Sequence, residues 1–220
     1  MADPAQLRPP LVITGAQLVD PASGREEIGD LVVVDGIIRA VGAGAHGVRP
    51  DGARVIEARG RVLAPGLIDM RAFVGEPGAE HRETLATASR AAAAGGVTTV
   101  VCMPDTNPPV DDPAVVDFVV RRARDTAIVR IPPAAALTKG LQGREMAEIG
   151  HLTDAGAVFL TDGARAVTNA QVMRRALTYA RDRGALIVHH CEDPHLVGDG
   201  VMNEGELAGR LGLPGIPREA

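Results

Sequence analysis

A chain of 220 residues with 45% hydrophobic and 23% charged side chains has the length of one large domain, or of a medium domain joined to a small one. That balance excludes a disordered chain, a collagen-like chain and a small disulfide scaffold. The net charge of −5 with no basic run, and 2% aromatic residues with no Trp, argue against a phosphate-backbone grip or a base-stacking platform, so no nucleic-acid partner is expected.

Residues 1–10 lack the charged start and apolar stretch of a signal peptide. No uncharged apolar run approaches the ~20 residues of a membrane helix. The expected setting is the cytoplasm, without a membrane partner, and with Cys102 and Cys191 as reduced thiols in apolar runs.

Residues 11–63 read as strands joined by short turns. Runs at 11–19, 30–36, 37–42 and 53–58 are rich in Val, Ile and Leu, and the Asp35–Gly36 pair between two of them signals a hairpin. This is an expected small β-sandwich-like domain over residues 1–62. From residue 63 strands and helices alternate. Strand candidates fall at 62–70, 97–103, 128–131, 157–160 and 185–189. Helices are predicted at 83–94, 112–124, 144–155, 169–183 and 204–211. Asp112–Pro113 and Asn169 mark helix starts, and Gly95–Gly96, Gly156 and Gly184 mark ends.

Repeated βα units with apolar strands imply a parallel sheet covered by helices. A doubly wound sheet and a (β/α) barrel both satisfy that pattern. No glycine-rich phosphate loop follows the first strand, which weakens the nucleotide-binding version. Residues 63–220 hold five βα units, where a closed barrel needs eight and usually about 250 residues. The expectation is the first five units of a longer TIM-type barrel.

In such architectures the chemistry lies past the carboxyl ends of the strands. That rule selects four polar segments: 69–78, 103–109, 161–165 and 189–193. Within and around them stand Pro65-Gly-Leu-Ile-Asp69, Gly75-Glu-Pro-Gly78, an Ala-rich helix ending Gly-Gly-Val-Thr-Thr, Met103-Pro-Asp-Thr-Asn-Pro-Pro109 and His190-Cys-Glu-Asp193. Taken in this order they resemble the dihydroorotases of the amidohydrolase superfamily, over essentially the whole chain from residue 11.

The resemblance implies a metal-dependent (β/α)8 barrel with an amino-terminal β-sandwich. It implies zinc as cofactor, and interconversion of dihydroorotate and carbamoyl-aspartate in pyrimidine biosynthesis. It places substrate binding at Asp105 and Asn107 and a metal ligand at His190. Two further ligand positions of the family lie beyond residue 220.

Several positions depart from the family's pattern. The His-x-His pair at the end of its first strand falls on Arg71 and Phe73. Its following substrate-binding Arg falls on Gly75, and the Asn of its Met-Pro-Asn-Thr motif falls on Asp105. The bridging Asp of its Asp-Asp-Gly turn falls on Gly163, beside Asp162. Arg has no lone pair to donate and Phe has no donor atom. A catalytic zinc takes three protein ligands as a rule, so the expectation is a dihydroorotase homologue that is catalytically impaired.

Two other classes fit the same residues. One is a non-catalytic scaffold partner of aspartate carbamoyltransferase, and the other is a hydantoinase-like or allantoinase-like cyclic amidase. An open sheet edge also leads to the expectation of a homo-oligomer.

Individual residues carry narrower expectations. Arg71 is expected to place its guanidinium against Glu192, Asp193 or Asp162 and so replace the cations. His189 is expected to face away from His190 and pack under a helix. His81 and Lys139 are expected on the surface, and Asp162 as a turn residue bonding nearby amides. Neither cysteine has a paired base expected beside it.

Overall fold

The computed structural model describes residues 9–220. The chain divides into two compact units at Gly66/Leu67.

The first unit is one five-stranded sheet. Strands β1 (Leu11–Asp20), β2 (Arg25–Val34) and β3 (Ile37–Gly42) form an antiparallel meander. Strands β4 (Arg54–Glu57) and β5 (Val62–Leu63) both pair parallel with β1. Asp35 (φ 53°) and Gly36 (φ 73°) make the β2–β3 turn, as an Asp-Gly pair allows. A bulge interrupts β1 between Ile13 and Ala16. The carboxylate of Asp30 pins it by accepting the Gly15 N–H at 2.8 Å.

Val12, Val32 and Ala45 form one buried apolar cluster of this unit, and Ala16, Leu18 and Ala58 another. The strands lie side by side through the partners of β1, so the described residues of this unit build one mixed sheet and no second, facing sheet.

In the second unit β6 (Leu67–Ala72) pairs parallel with β7 (Val97–Cys102). Further parallel bridges join Thr99 to Arg130, Cys102 to Pro133, Ala135 to Leu160 and Leu160 to Ile187. Five parallel segments therefore lie side by side in chain order, without the reversal that defines a doubly wound sheet. Segments 128–131, 157–160 and 185–189 pair through single bridges rather than continuous ladders. Pro132 and Pro133 explain part of this, because they remove two ladder donors from the middle of the sheet.

Helices α1 (Leu85–Ala94), α2 (Pro113–Thr126), α3 (Ile149–Asp154) and α4 (Ala170–Arg183) follow these segments. Each long helix starts where a side chain takes an orphan amide. Thr84 and Thr87 form a capping box on α1, Asp112 accepts from Ala114 N–H at 2.8 Å on α2, and Asn169 accepts from Gln171 N–H at 3.0 Å on α4. Gly184 closes α4 at φ 63°.

The predicted helix 144–155 is shorter than expected. Residues before α3 instead run back along 137–139, with Lys139 N–H donating to Glu145 C=O and Ala147 N–H to Leu137 C=O. These nonlocal bonds override the helix propensity of Arg144-Glu-Met-Ala-Glu148. The unit ends with α5 (Pro194–Val197), β8 (Met202–Asn203), α6 (Glu206–Leu211) and β9 (Gly215–Ile216), where β8 and β9 pair in parallel.

Alternation along β7 sorts its side chains onto two faces. Val100 and Cys102 join Val74, Leu85, Val119 and Ile131 in the layer beneath α1 and α2. Val101 and Met103 meet Ala134 and Phe159 in a separate cluster. Val116, Leu137, Ile149, Leu152, Leu160 and Ala176 form the largest core under α2, α3 and α4. No helix among the described residues is long and apolar enough to cross a membrane.

Candidate functional site

The polar segments at the carboxyl ends of the parallel strands are bound together by their own hydrogen bonds. The 75–78 loop leans on the 103–109 loop. Asn107 N–H donates to Pro77 C=O at 3.0 Å. Gly78 (φ 98°) has no room for a side chain, since a Cβ there would lie 2.2 Å from Asn107 O.

Glu76, buried in the same loop, is a structural staple. One carboxylate oxygen accepts the Leu85 N–H at the start of α1 (2.9 Å), and the other pairs with Arg122 Nε of α2 (2.5 Å).

Asp162 holds the fourth segment to the third. Its Oδ1 accepts from Leu137 N–H at 3.0 Å and Thr138 N–H at 2.9 Å, and its Oδ2 accepts from the Thr138 hydroxyl. Three donors occupy this buried carboxylate. It bonds amides, as expected, though those of a neighbouring strand rather than of its own turn.

A small cavity of about 90 Å³ opens at the strand ends. Its polar walls are Arg71, Thr161, Gly163, His189 and His190, and its apolar walls are Met70, Met103 and Val188. Asp105 and Asn107 are exposed on the loop after β7 and are not among these walls.

The expected charge replacement by Arg71 is not found. The Arg71 guanidinium makes no ion pair among the described residues. Asp69 bonds the Arg71 backbone N–H instead, at 2.9 Å. The Phe73 ring stacks under the Arg82 guanidinium, 5.0 Å from its centroid.

His189 is also corrected. It shares the cavity with His190, because strand alternation ends with the bridge near Val188. Its Nε2 accepts the Val167 N–H at 2.9 Å, so Nδ1 carries the proton in the neutral ring. That Nδ1 lies 3.5 Å from Cys191 Sγ. The spacing i, i+2 was the available signal for this pair. His190 Nε2 lies 3.6 Å from Glu192 Oε2.

Cys102 differs from Cys191. Burial pushes its thiol up to about 12, and the Asp105 and Glu76 carboxylates add to the rise. Lys139 pairs with Glu145 at 2.5 Å, and that bond raises its ammonium above the ordinary lysine range.

The described residues do not by themselves supply the donors of a hydrolytic zinc. No group of three or more His, Cys, Asp or Glu side chains among the described residues could hold a metal ion. Arg71 and Phe73 supply no lone pair, and Asp162 is occupied by three donors.

Solved structures that share the fold include hydantoinases. The L-hydantoinase (dihydropyrimidinase) of Arthrobacter aurescens superposes with a TM-score of 0.72 at 24% identity, covering 85% of this chain and 42% of that one. A D-hydantoinase (dihydropyrimidinase) from Thermus sp. gives 0.64 at 21% identity, covering 86% and 41%.

Sequence similarity is more specific. A family described as dihydro-orotase-like matches residues 60–220, and the chain belongs to that family. The chain is 44% identical to the dihydroorotase of Geobacter sulfurreducens over 207 residues, covering 94% of this chain and 48% of that protein. It is 47% identical to the dihydroorotase of Pelotomaculum thermopropionicum over 210 residues, covering 96% and 48%. It thus spans about half the length of the curated relatives it matches.

Proposed function

We propose that the chain is a dihydroorotase homologue of pyrimidine biosynthesis whose ligands are dihydroorotate and carbamoyl-aspartate, and that this copy does not hydrolyse the cyclic amide by the zinc route. Family membership supports the ligand class. The observation that carries the second clause is the pair Arg71 and Phe73. These side chains stand at i and i+2 where the family's pattern has two imidazoles, and neither can grip a cation that would lower the pKa of a bound water.

On this reading the single sheet of the first unit is one layer of a sandwich, and the five parallel segments are the opening part of a (β/α)8 barrel. Asp105 and Asn107 contact the substrate from the loop after β7. Two free cysteines accord with a reducing cytoplasm.

The test is a dihydroorotase assay in both directions, with and without added zinc, alongside metal analysis of the dialysed protein. Turnover at the background rate is expected. Stoichiometric bound zinc with turnover would overturn the second clause.

One observation favours a scaffold role as well. The same pair, Arg71 and Phe73, leaves a dihydroorotase-like chain with no lone pair for a cation at those positions, which fits a non-catalytic partner. Co-sedimentation with aspartate carbamoyltransferase tests that role, and analytical ultracentrifugation of the chain alone tests homo-oligomer formation.

A further inference from the structure

We infer that the cavity walled by Arg71, Thr161, His189 and His190 is a binding site for a small planar oxyanion of the carboxylate class. The inference stands on the composition of these walls and goes beyond the reading above.

Charge comes first. The whole chain carries −5, yet no Asp or Glu lines this cavity. Arg71 contributes a full positive charge that no carboxylate among the described residues neutralises within ion-pair distance. A guanidinium offers its N–H groups as a planar fork that matches the two oxygens of a carboxylate.

Donors come second. Thr161 is 2% exposed, and its oxygen accepts the Gly163 N–H at 3.0 Å. That leaves its hydroxyl hydrogen with no acceptor among the described residues, and a wall residue with a spare hydrogen favours an acceptor as ligand. His190 adds a second polar wall whose recorded partner, Glu192, is not itself among the walls.

Size comes third. The cavity of about 90 Å³ is open on one side. It accommodates a free ion such as acetate, or the carboxylate end of a larger molecule whose remainder projects through the open side.

The experiment is calorimetric titration of the full chain with acetate and, separately, with N-carbamoyl-aspartate. Both are expected to bind, more weakly as salt rises. Arg71→Met is expected to weaken both by about tenfold or more, the loss of one charged hydrogen-bonding partner. Arg71→Lys, which keeps the charge without the fork, is expected to fall between, and it carries the test alone if Arg71→Met does not fold.

Absence of acetate binding to the wild type, or acetate binding equal to wild type in an Arg71→Met chain with unchanged melting temperature, overturns the inference. Carbamoyl-aspartate binding that ignores Arg71 also overturns it and leaves the dihydroorotase reading standing. Arg71-dependent acetate binding with no advantage for carbamoyl-aspartate upholds it and counts against that reading.

Discussion

Glu76 and Arg122 are joined at 2.5 Å across 46 positions of sequence, with the carboxylate buried and the guanidinium half-exposed. The same carboxylate anchors the first turn of α1 through Leu85. Glu76→Ala removes both contacts and leaves a buried amide unpaired, so a loss of about 2–4 kcal/mol is expected in urea unfolding. Arg122→Ala keeps the Leu85 bond and is expected to cost less, about 1–2 kcal/mol.

Asp162 ties the third and fourth parallel segments with three accepted bonds. Asp162→Ala is expected to destabilise the chain by about 3 kcal/mol, and Thr138→Val, which removes one of those donors, by about 1 kcal/mol. Thermal denaturation of the two variants checks the ranking. Equal melting temperatures for Asp162→Ala and wild type would remove this carboxylate from any structural role.

The two thiols should react at very different rates. Cys191 is exposed and Cys102 is buried. A chromogenic disulfide reagent is expected to find one fast thiol in the native chain and two in denaturant.

The raised thiol also has a sign in stability. The unfolded Cys102 ionises near 9.0 and the folded one near about 12. Its contribution is complete below pH 9 and is lost as pH rises toward 12, by at most about 1.4 kcal/mol per pH unit. Denaturant unfolding at pH 8, 9 and 10 should show this slope in the wild type and a shallower one in Cys102→Ala.

Asp105 sets a specific expectation for ligand affinity under the proposed function. An exposed carboxylate on the 103–109 loop opposes a dicarboxylate ligand. Asp105→Asn should tighten carbamoyl-aspartate binding by about two- to fivefold at low salt, and Asn107→Ala should weaken it. The same titrations at two ionic strengths separate charge from shape.

Local signals were readable in the chain, and cross-strand ones were not. The Asp35–Gly36 turn, the Asp112–Pro113 start of α2 and the Asn169 and Gly184 ends of α4 each depend on a few adjacent residues. The 144–148 stretch depends on backbone partners at 137–139, which no periodicity encodes. His189 was misplaced because alternation holds only while a ladder lasts. Arg71 stood out as a chemical departure, yet only coordinates show that no acid meets it. Thr161 stood in the polar 161–165 segment without a role of its own, since that role rests on burial beside Gly163.

The Asp162 bonds bear on how the sheet opens. A carboxylate that takes the amides of Leu137 and Thr138 is satisfied only while two separate segments lie side by side. The third and fourth segments therefore come apart as one cooperative piece, and in native-state hydrogen exchange those two amides would be released together.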